Sequence, residues 1–262
     1  MKNIQKHTPG SFSWVELATS DPAEAKKFYQ SLFGWRSQDL PMGPDFTYTI
    51  LQSEGQDAAA LYKLMPDQVR QGVPPNWLSY VAVDSADDAA RKAKSLGGTV
   101  IVEPMDVPQA GRFAVFQDPQ GATFGVWQSG QQTGVKIRDE VNSLVWNELA
   151  TTDEESAEKF YTSLFNWQTE VMPMSQMKYT IFKNDGKGIA GMYKIRPDMK
   201  GMPPNWVPYF NVSDADDIAK KTQSSGGKIM APPMDIPDVG RIAIFQDPQG
   251  AMFAIIKPSP QM

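Results

Sequence analysis

A long internal repeat limits this chain more than any other feature. The stretch from Trp14 to Trp35, WVELATSDPAEAKKFYQSLFGW, returns 132 residues later as WNELATTDEESAEKFYTSLFNW, identical at 14 of 22 positions. A second block returns 129 residues later: PPNW at Pro74–Trp77 reappears at Pro203–Trp206, and MDVPQAGRFAVFQDPQGA from Met105 reappears as MDIPDVGRIAIFQDPQGA from Met234. Solenoid repeats have periods of roughly 20–50 residues, so a period this long is a duplicated domain. Each copy has about 125 residues, enough to bury a core of its own. The reading is one domain over residues 1–128, a polar linker over 129–141 and a second domain over 142–262.

Within each copy the hydrophobic period switches repeatedly between two and 3.6. Phe12–Ala18 reads as a strand with Trp14, Glu16 and Ala18 on one side, Phe12 with them, and Val15 and Leu17 on the other. A helix follows, with Asp21 at the N-cap, Pro22 at its first position and Glu24 closing a capping box. Its apolar stripe is Ala25, Phe28, Tyr29, Leu32 and Phe33, and Gly34 stops it. Three strand-like runs come next: Trp35–Leu40, Phe46–Gln52 and Ala58–Leu64. The same β-α-β-β-β order then recurs: strand Trp77–Val83, helix Ala86–Leu96 with Gly97 and Gly98 as its stop, then strands Thr99–Glu103, Arg112–Gln117 and Thr123–Gln128. Asp118–Gly121 makes the last hairpin turn. Four such modules fill the chain. The expected fold is α+β, two tandem cup-shaped incomplete β-barrels with the helices outside and each cup formed within one domain.

The paired modules, the FYxxLFGW helix, the GG stop and the D-P-x-G hairpin resemble the vicinal-oxygen-chelate superfamily, which includes glyoxalase I, bleomycin-resistance proteins and extradiol dioxygenases. The resemblance covers about residues 9–127 and 141–257, and is nearest to the tandem two-domain glyoxalase/bleomycin-resistance-like proteins. Metal-binding members carry four ligands per cup, usually His or Gln, Glu, His and Glu. Carried over by position, these fall on Trp14, about Ala60, Leu78 and Gly125, and on Trp146, about Gly191, Val207 and Ala254. None of these side chains can hold a hard divalent ion, which takes carboxylate oxygen or imidazole. No metal and no other cofactor is expected. The single histidine, His7, reads as an exposed tail residue.

Two residues after each missing first ligand stands a carboxylate, Glu16 or Glu148, and strand alternation turns it toward the cavity. The same parity brings Trp14, Tyr62, Tyr80 and Trp127 inward in the first cup. Trp146, Tyr193 and Tyr209 turn inward in the second, with Ile256 at the place of Trp127. An inward carboxylate needs hydrogen bonds, and tyrosine hydroxyls can supply them. Glu16 and Glu148 are candidate catalytic bases or ligand anchors; the competing reading is a structural Glu tied to a neighbouring strand. Arg112 and Arg241 either meet an anionic ligand or pair with Asp106 and Asp235. Trp77 and Trp206 face the helices. Met42 and Met172–Met177 fall in loops that either cover the cup or pack between modules.

The net charge of −5 and the lack of a Lys/Arg cluster argue against nucleic acid. No apolar leader and no run of about 18 apolar residues argues against a membrane span. Without cysteine the chain has neither disulfides nor thiolate sites, which fits the cytoplasm. The expected partner is a small hydrophobic or aromatic ligand, bound by a monomer or a homodimer for resistance or detoxification. The alternatives are a glyoxalase-like lyase or isomerase using Glu16 or Glu148 as its base, and an interaction protein whose cups are filled by side chains.

Overall fold

The computed structural model of the chain describes residues 4–174, 177–199 and 201–259. In the first half the elements run β1 (Phe12–Thr19), α1 (Pro22–Phe33), β2 (Arg36–Gly43), β3 (Phe46–Ser53), β4 (Gln56–Lys63), α2 (Pro66–Arg70), β5 (Asn76–Ala82), α3 (Ala86–Ser95), β6 (Thr99–Val107), β7 (Gly111–Gln117) and β8 (Thr123–Ser129). The second half follows with β9 (Leu144–Thr151), α4 (Glu154–Phe165), β10 (Gln168–Met174), β11 (Met177–Asn184) and β12 (Lys187–Lys194). It ends with β13 (Asn205–Asn211), α5 (Ala215–Ser224), β14 (Lys228–Ile236), β15 (Gly240–Gln246) and β16 (Met252–Pro258). Each half builds one curled eight-stranded sheet, ordered β2-β3-β4-β1-β5-β8-β7-β6 and β10-β11-β12-β9-β13-β16-β15-β14. The first strands of the two modules, β1 with β5 and β9 with β13, join antiparallel at the centre of each sheet. The α+β tandem-cup fold read from the sequence is therefore the observed one, with modules paired within each half.

The helices lie on the convex faces of the sheets, but solvent is not what covers them. Helix α1 shares one core with Leu51, Ala58, Ala59 and Leu61 of its own sheet and with Phe210, Ile218, Phe245 and Phe253 of the other half. Helix α4 makes the mirrored core: Phe160, Tyr161 and Leu164 pack with Phe116, Phe124 and Val126 of the first half. A buried polar relay crosses each core. The Tyr29 hydroxyl donates to Asp247 at 3.0 Å and accepts from the Trp77 indole at 2.8 Å. In the other core Tyr161 donates to Asp118 at 3.0 Å and accepts from Trp206 at 2.9 Å. The DPQG turn is thus a hairpin turn and also an interdomain acceptor. Asp118 takes the backbone N–H groups of Gln120 and Ala122 on one oxygen and Tyr161 on the other.

Several local expectations need correction. Phe12 does not share a side with Trp14: the pairing of β1 with β5 slips by one residue between them. The resulting bulge turns Phe12 onto Trp167 and Trp206, with ring centroids 5.8 and 5.3 Å away. Asp21 caps α1 through the N–H groups of Ala23 and Glu24, while the Glu24 carboxylate goes to Lys27 and not back to the cap. Met42 and Met172 lie inside strands, because β2 and β10 run to Gly43 and Met174; Ser175 and Gln176 lie outside the described residues.

The linker is not a free tether. Val135 N–H donates to Ser13 O at 2.8 Å and Lys136 N–H to Asp57 O at 2.7 Å, so these residues wedge between β1 and β4 ahead of where those strands pair. Val135 and Ile137 are buried, and so is His7, whose Nε2 lies 2.9 Å from Val135 O. The histidine is a strap between the N-terminal segment and the linker, and burial lowers its pKa. Its isolation in a polar stretch of sequence gave no sign of this.

Because each relay spans both halves, weakening one should lower the stability of the whole chain. Tyr29→Phe leaves the Trp77 N–H without its acceptor and removes one donor from Asp247, at a cost of about 1–3 kcal/mol. Tyr161→Phe should cost about the same. Urea unfolding should show one transition that moves intact to lower denaturant in each variant; a split into two transitions would contradict the shared core.

Candidate functional site

The concave face of the first sheet is built around Glu16. Across β4 its neighbour is Ala60 and across β5 it is Leu78. The Tyr48 hydroxyl donates to Glu16 Oε2 at 2.6 Å and the Tyr80 hydroxyl to Oε1 at 2.7 Å. Trp14 Nε1 then donates to the Tyr48 oxygen at 2.8 Å. The second cup repeats the arrangement: Tyr179 donates to Glu148 Oε1 at 2.9 Å, Tyr209 to Oε2 at 2.6 Å, and Trp146 Nε1 to Tyr179 at 3.1 Å. All of the expected inward residues lie on the concave faces. Trp14 and Tyr80 belong to the first cup's buried cluster, with Trp127 packed at its edge. Tyr62 pairs with Tyr48 in the strand register and Tyr193 with Tyr179. Trp146 packs against Tyr209 in the second cup's cluster.

Sequence reasoning missed Tyr48 and Tyr179, half of the donor set. A signal was present. The tripeptide Tyr48-Thr49-Ile50 returns as Tyr179-Thr180-Ile181, and its alternation puts tyrosine and isoleucine on the cup side.

The four positions where the superfamily resemblance looks for metal ligands hold no donor for a divalent ion, and the tyrosines explain two of them. A Cβ added to Gly125 would come within 2.2 Å of the Tyr80 ring, and one on Gly191 within 1.8 Å of the Tyr179 hydroxyl. These glycines are flat because a tyrosine lies across them. Among the described residues no group of three or more His, Cys, Asp or Glu side chains is arranged to hold a metal ion. Arg112 and Arg241 face outward to carboxylates. Arg112 holds Asp106 and also Asp87 at the start of α3, and Arg241 holds Asp235 and Asp216. They are fastenings between strand hairpin and helix.

The cups are not copies in their openings. Val135 from the linker packs with Trp14, Ile50 and Ala60 and closes one wall of the first cup, so Glu16 and Trp14 are buried. The second cup's cluster is made of its own strands, and Glu148 and Trp146 are half-buried. Around both centres the upper walls stay partly exposed, through Tyr48, Tyr62, Phe113 and Trp127 in one and Tyr179, Ile242 and Ile256 in the other.

The family model described as Glyoxalase/Bleomycin resistance protein/Dioxygenase superfamily matches residues 11–126 and again 138–255. The chain belongs to that superfamily. Along its whole length it is 38% identical to the whole of the protein named "Putative glyoxylase CFP32" from Mycobacterium tuberculosis. It is 30% identical to the anthracycline biosynthesis protein DauV from Streptomyces, with 97% of this chain and 95% of that protein covered. In three dimensions it resembles the Mn(II)-bound glyoxalase from Novosphingobium aromaticivorans, with a TM-score of 0.63 over 99% of this chain and 89% of that one. At 14% identity that likeness shows the superfamily fold and nothing finer. No helix among the described residues is long and apolar enough to cross a membrane.

The carboxyls of Glu16 and Glu148 are held above their ordinary pKa. Burial raises the pKa of Glu16, and hydrogen bonds from Tyr48 and Tyr80 pull it down by less; Glu148 is the same with Tyr209 and Tyr179. A carboxyl with a raised folded pKa holds its proton more tightly when folded. Its contribution to stability is therefore greatest at acid pH and falls as pH climbs from the ordinary 4.5 to the folded value. Urea midpoints of the unmodified chain should decline across that window. The double variant Glu16→Gln, Glu148→Gln should decline less, since Asp118, Asp247 and the remaining groups titrate in both proteins. Parallel curves would show that neither carboxyl changes its acidity on folding.

Proposed function

We propose that this chain binds a small, mostly hydrophobic molecule with a polar handle in one or both cups, without a divalent metal. The observation that carries the reading is the twice-built Glu with two tyrosine donors on a partly open apolar face. An ionised carboxylate offers about four acceptor directions, and the tyrosines use two. The remaining lone pairs suit an N–H or O–H of a ligand, and the apolar walls suit its body. The relatives named for anthracycline biosynthesis support a small-molecule role, because their name concerns aromatic natural products. Binding of this kind serves resistance or detoxification.

A second reading is a glyoxalase-like lyase or isomerase in which Glu16 or Glu148 takes a proton beside a carbonyl. The raised pKa favours it, since a base works best when its pKa approaches the working pH. The name of the mycobacterial relative points the same way. The donor chemistry of Trp14, Ala60, Leu78 and Gly125 argues that neither reading runs through a metal in the superfamily's usual place. Elemental analysis of purified protein should find no stoichiometric zinc, nickel, iron or manganese; about one metal per domain would overturn the metal-independent reading.

Glu16→Gln and Glu148→Gln separate an anchor from a structural carboxylate. If the carboxylate anchors the ligand, each change should weaken binding in its own cup by about 1.5–3 kcal/mol, the range for a hydrogen bond to a charged group. Folding should then remain nearly intact. A melt that falls while affinity holds would end the functional claim for that cup. Turnover lost with binding retained would favour the base.

A further inference from the structure

The two cups share their floor but not their walls. In the first, Phe46, Tyr48 and Tyr62 on β3 and β4 form one aromatic side, with the rings of Phe46 and Tyr48 6.0 and 6.5 Å from that of Tyr62. Strands β7 and β8, on the other side of the β1–β5 centre, present Phe113 and Trp127, which are paired in register. The indole of Trp127 is fixed by its hydrogen bond to Gln132 O at 2.8 Å. In the second cup the corresponding places of β15 and β16 hold Ile242 and Ile256, again paired in register. The first cup therefore carries aromatic side chains on both walls and the second, among the described residues, on only one.

The polar handle of the first cup is also defined. Gln68 on α2 accepts the Met65 N–H through Oε1 at 2.8 Å, which fixes its amide so that Nε2 donates to the Tyr62 oxygen at 3.0 Å. The Tyr62 oxygen is an acceptor in that bond, so its hydroxyl hydrogen is spare. Burial pushes its pKa up to about 12, so it stays a donor. In the second cup Arg196, which follows β12, is held by Asp198, and Tyr193 has no such fixed donor among the described residues.

We propose that the first cup is the site for a flat, fused-ring aromatic molecule bearing a carbonyl oxygen. Its rings lie between the Tyr62 wall and the Phe113–Trp127 wall, and Tyr62 donates to the carbonyl. The second cup does not share this preference. The assignment rests on the small-molecule reading above and adds which cup is used, which ligand class it takes and which residue reads it.

Equilibrium dialysis of the full chain against fluorenone, fluorene and cyclododecanone tests the assignment. These are a flat aromatic ketone, the same rings without the carbonyl, and a ketone without the rings. Fluorenone should saturate at one per chain and bind about tenfold tighter than fluorene, the size of a single hydrogen bond. Tyr62→Phe should remove that tenfold difference and leave fluorene unchanged. The double variant Phe113→Ile, Trp127→Ile should weaken both aromatic probes at least tenfold, while Ile256→Ala in the second cup should change neither. If the double variant does not fold, the stoichiometry and Tyr62→Phe still decide. Cyclododecanone binding as tightly as fluorenone, two equal fluorenone sites, or an unchanged ratio in Tyr62→Phe would overturn the assignment while leaving small-molecule binding in place. Saturation by none of the three probes would remove both.

Discussion

The molecule depends on two helices that are each buried from both sides. Helix α1 lies between its own sheet and the second half of the other domain, and α4 does the same in reverse. The apolar stripe read from the sequence accounts for one contact face. The other is supplied by residues more than 170 positions away, such as Phe210 and Phe253, with Tyr29 tied to Asp247 across the boundary. A Tyr–Asp–Trp relay in each core satisfies the polar groups that such a boundary would otherwise strand, and each unmet one would cost about 1–3 kcal/mol. Since the convex faces are turned to each other through the helices, the concave faces are the ones left for a ligand.

On those concave faces the governing constraint is a carboxylate away from bulk water. An unpaired charge there would be costly, and the tyrosines offset the cost by hydrogen-bonding to it. Tyr80 and Tyr179 lie where a Cβ on Gly125 or Gly191 would stand, while Tyr48 and Tyr209 reach their carboxylates with Ala60 and Ala254 at the corresponding positions. At Gly125 and Gly191, two positions without a donor side chain, the space a Cβ would take is held by a tyrosine ring or hydroxyl.

Much of this was legible in the sequence. The strand and helix order follows from the change of hydrophobic period, and the inward direction of Glu16, Tyr62, Tyr80 and Trp127 follows from strand parity. Parity failed where the register slips: the bulge after Phe12 sends that ring to the opposite side, and no local pattern marks it. The burial of His7, Val135 and Ile137 depends on a wedge between β1 and β4 that brings positions 7 and 135 together, a long-range contact hidden from any window of neighbouring residues. Tyr48 and Tyr179 were missed for a different reason. They sit in strands read from their apolar members, and only comparison of the two copies shows the repeated YTI.

The duplication explains why some stretches stayed alike and others drifted. FQDPQGA is identical in both copies, and each copy's aspartate is bound by the other copy's tyrosine, so a change in either would strain a shared core. The Glu and its two tyrosines are also kept in both cups, where loss of one partner would leave a buried polar group unmatched. The walls have no such reciprocal partner. Phe113 against Ile242 and Trp127 against Ile256 differ without disturbing a hydrogen bond inside the sheets. Among the described residues, Val135 of the linker packs into the first cup and no linker residue packs into the second cup's cluster. The cups thus differ in the side chains of the concave wall and, among the described residues, in the packing of Val135 into the first.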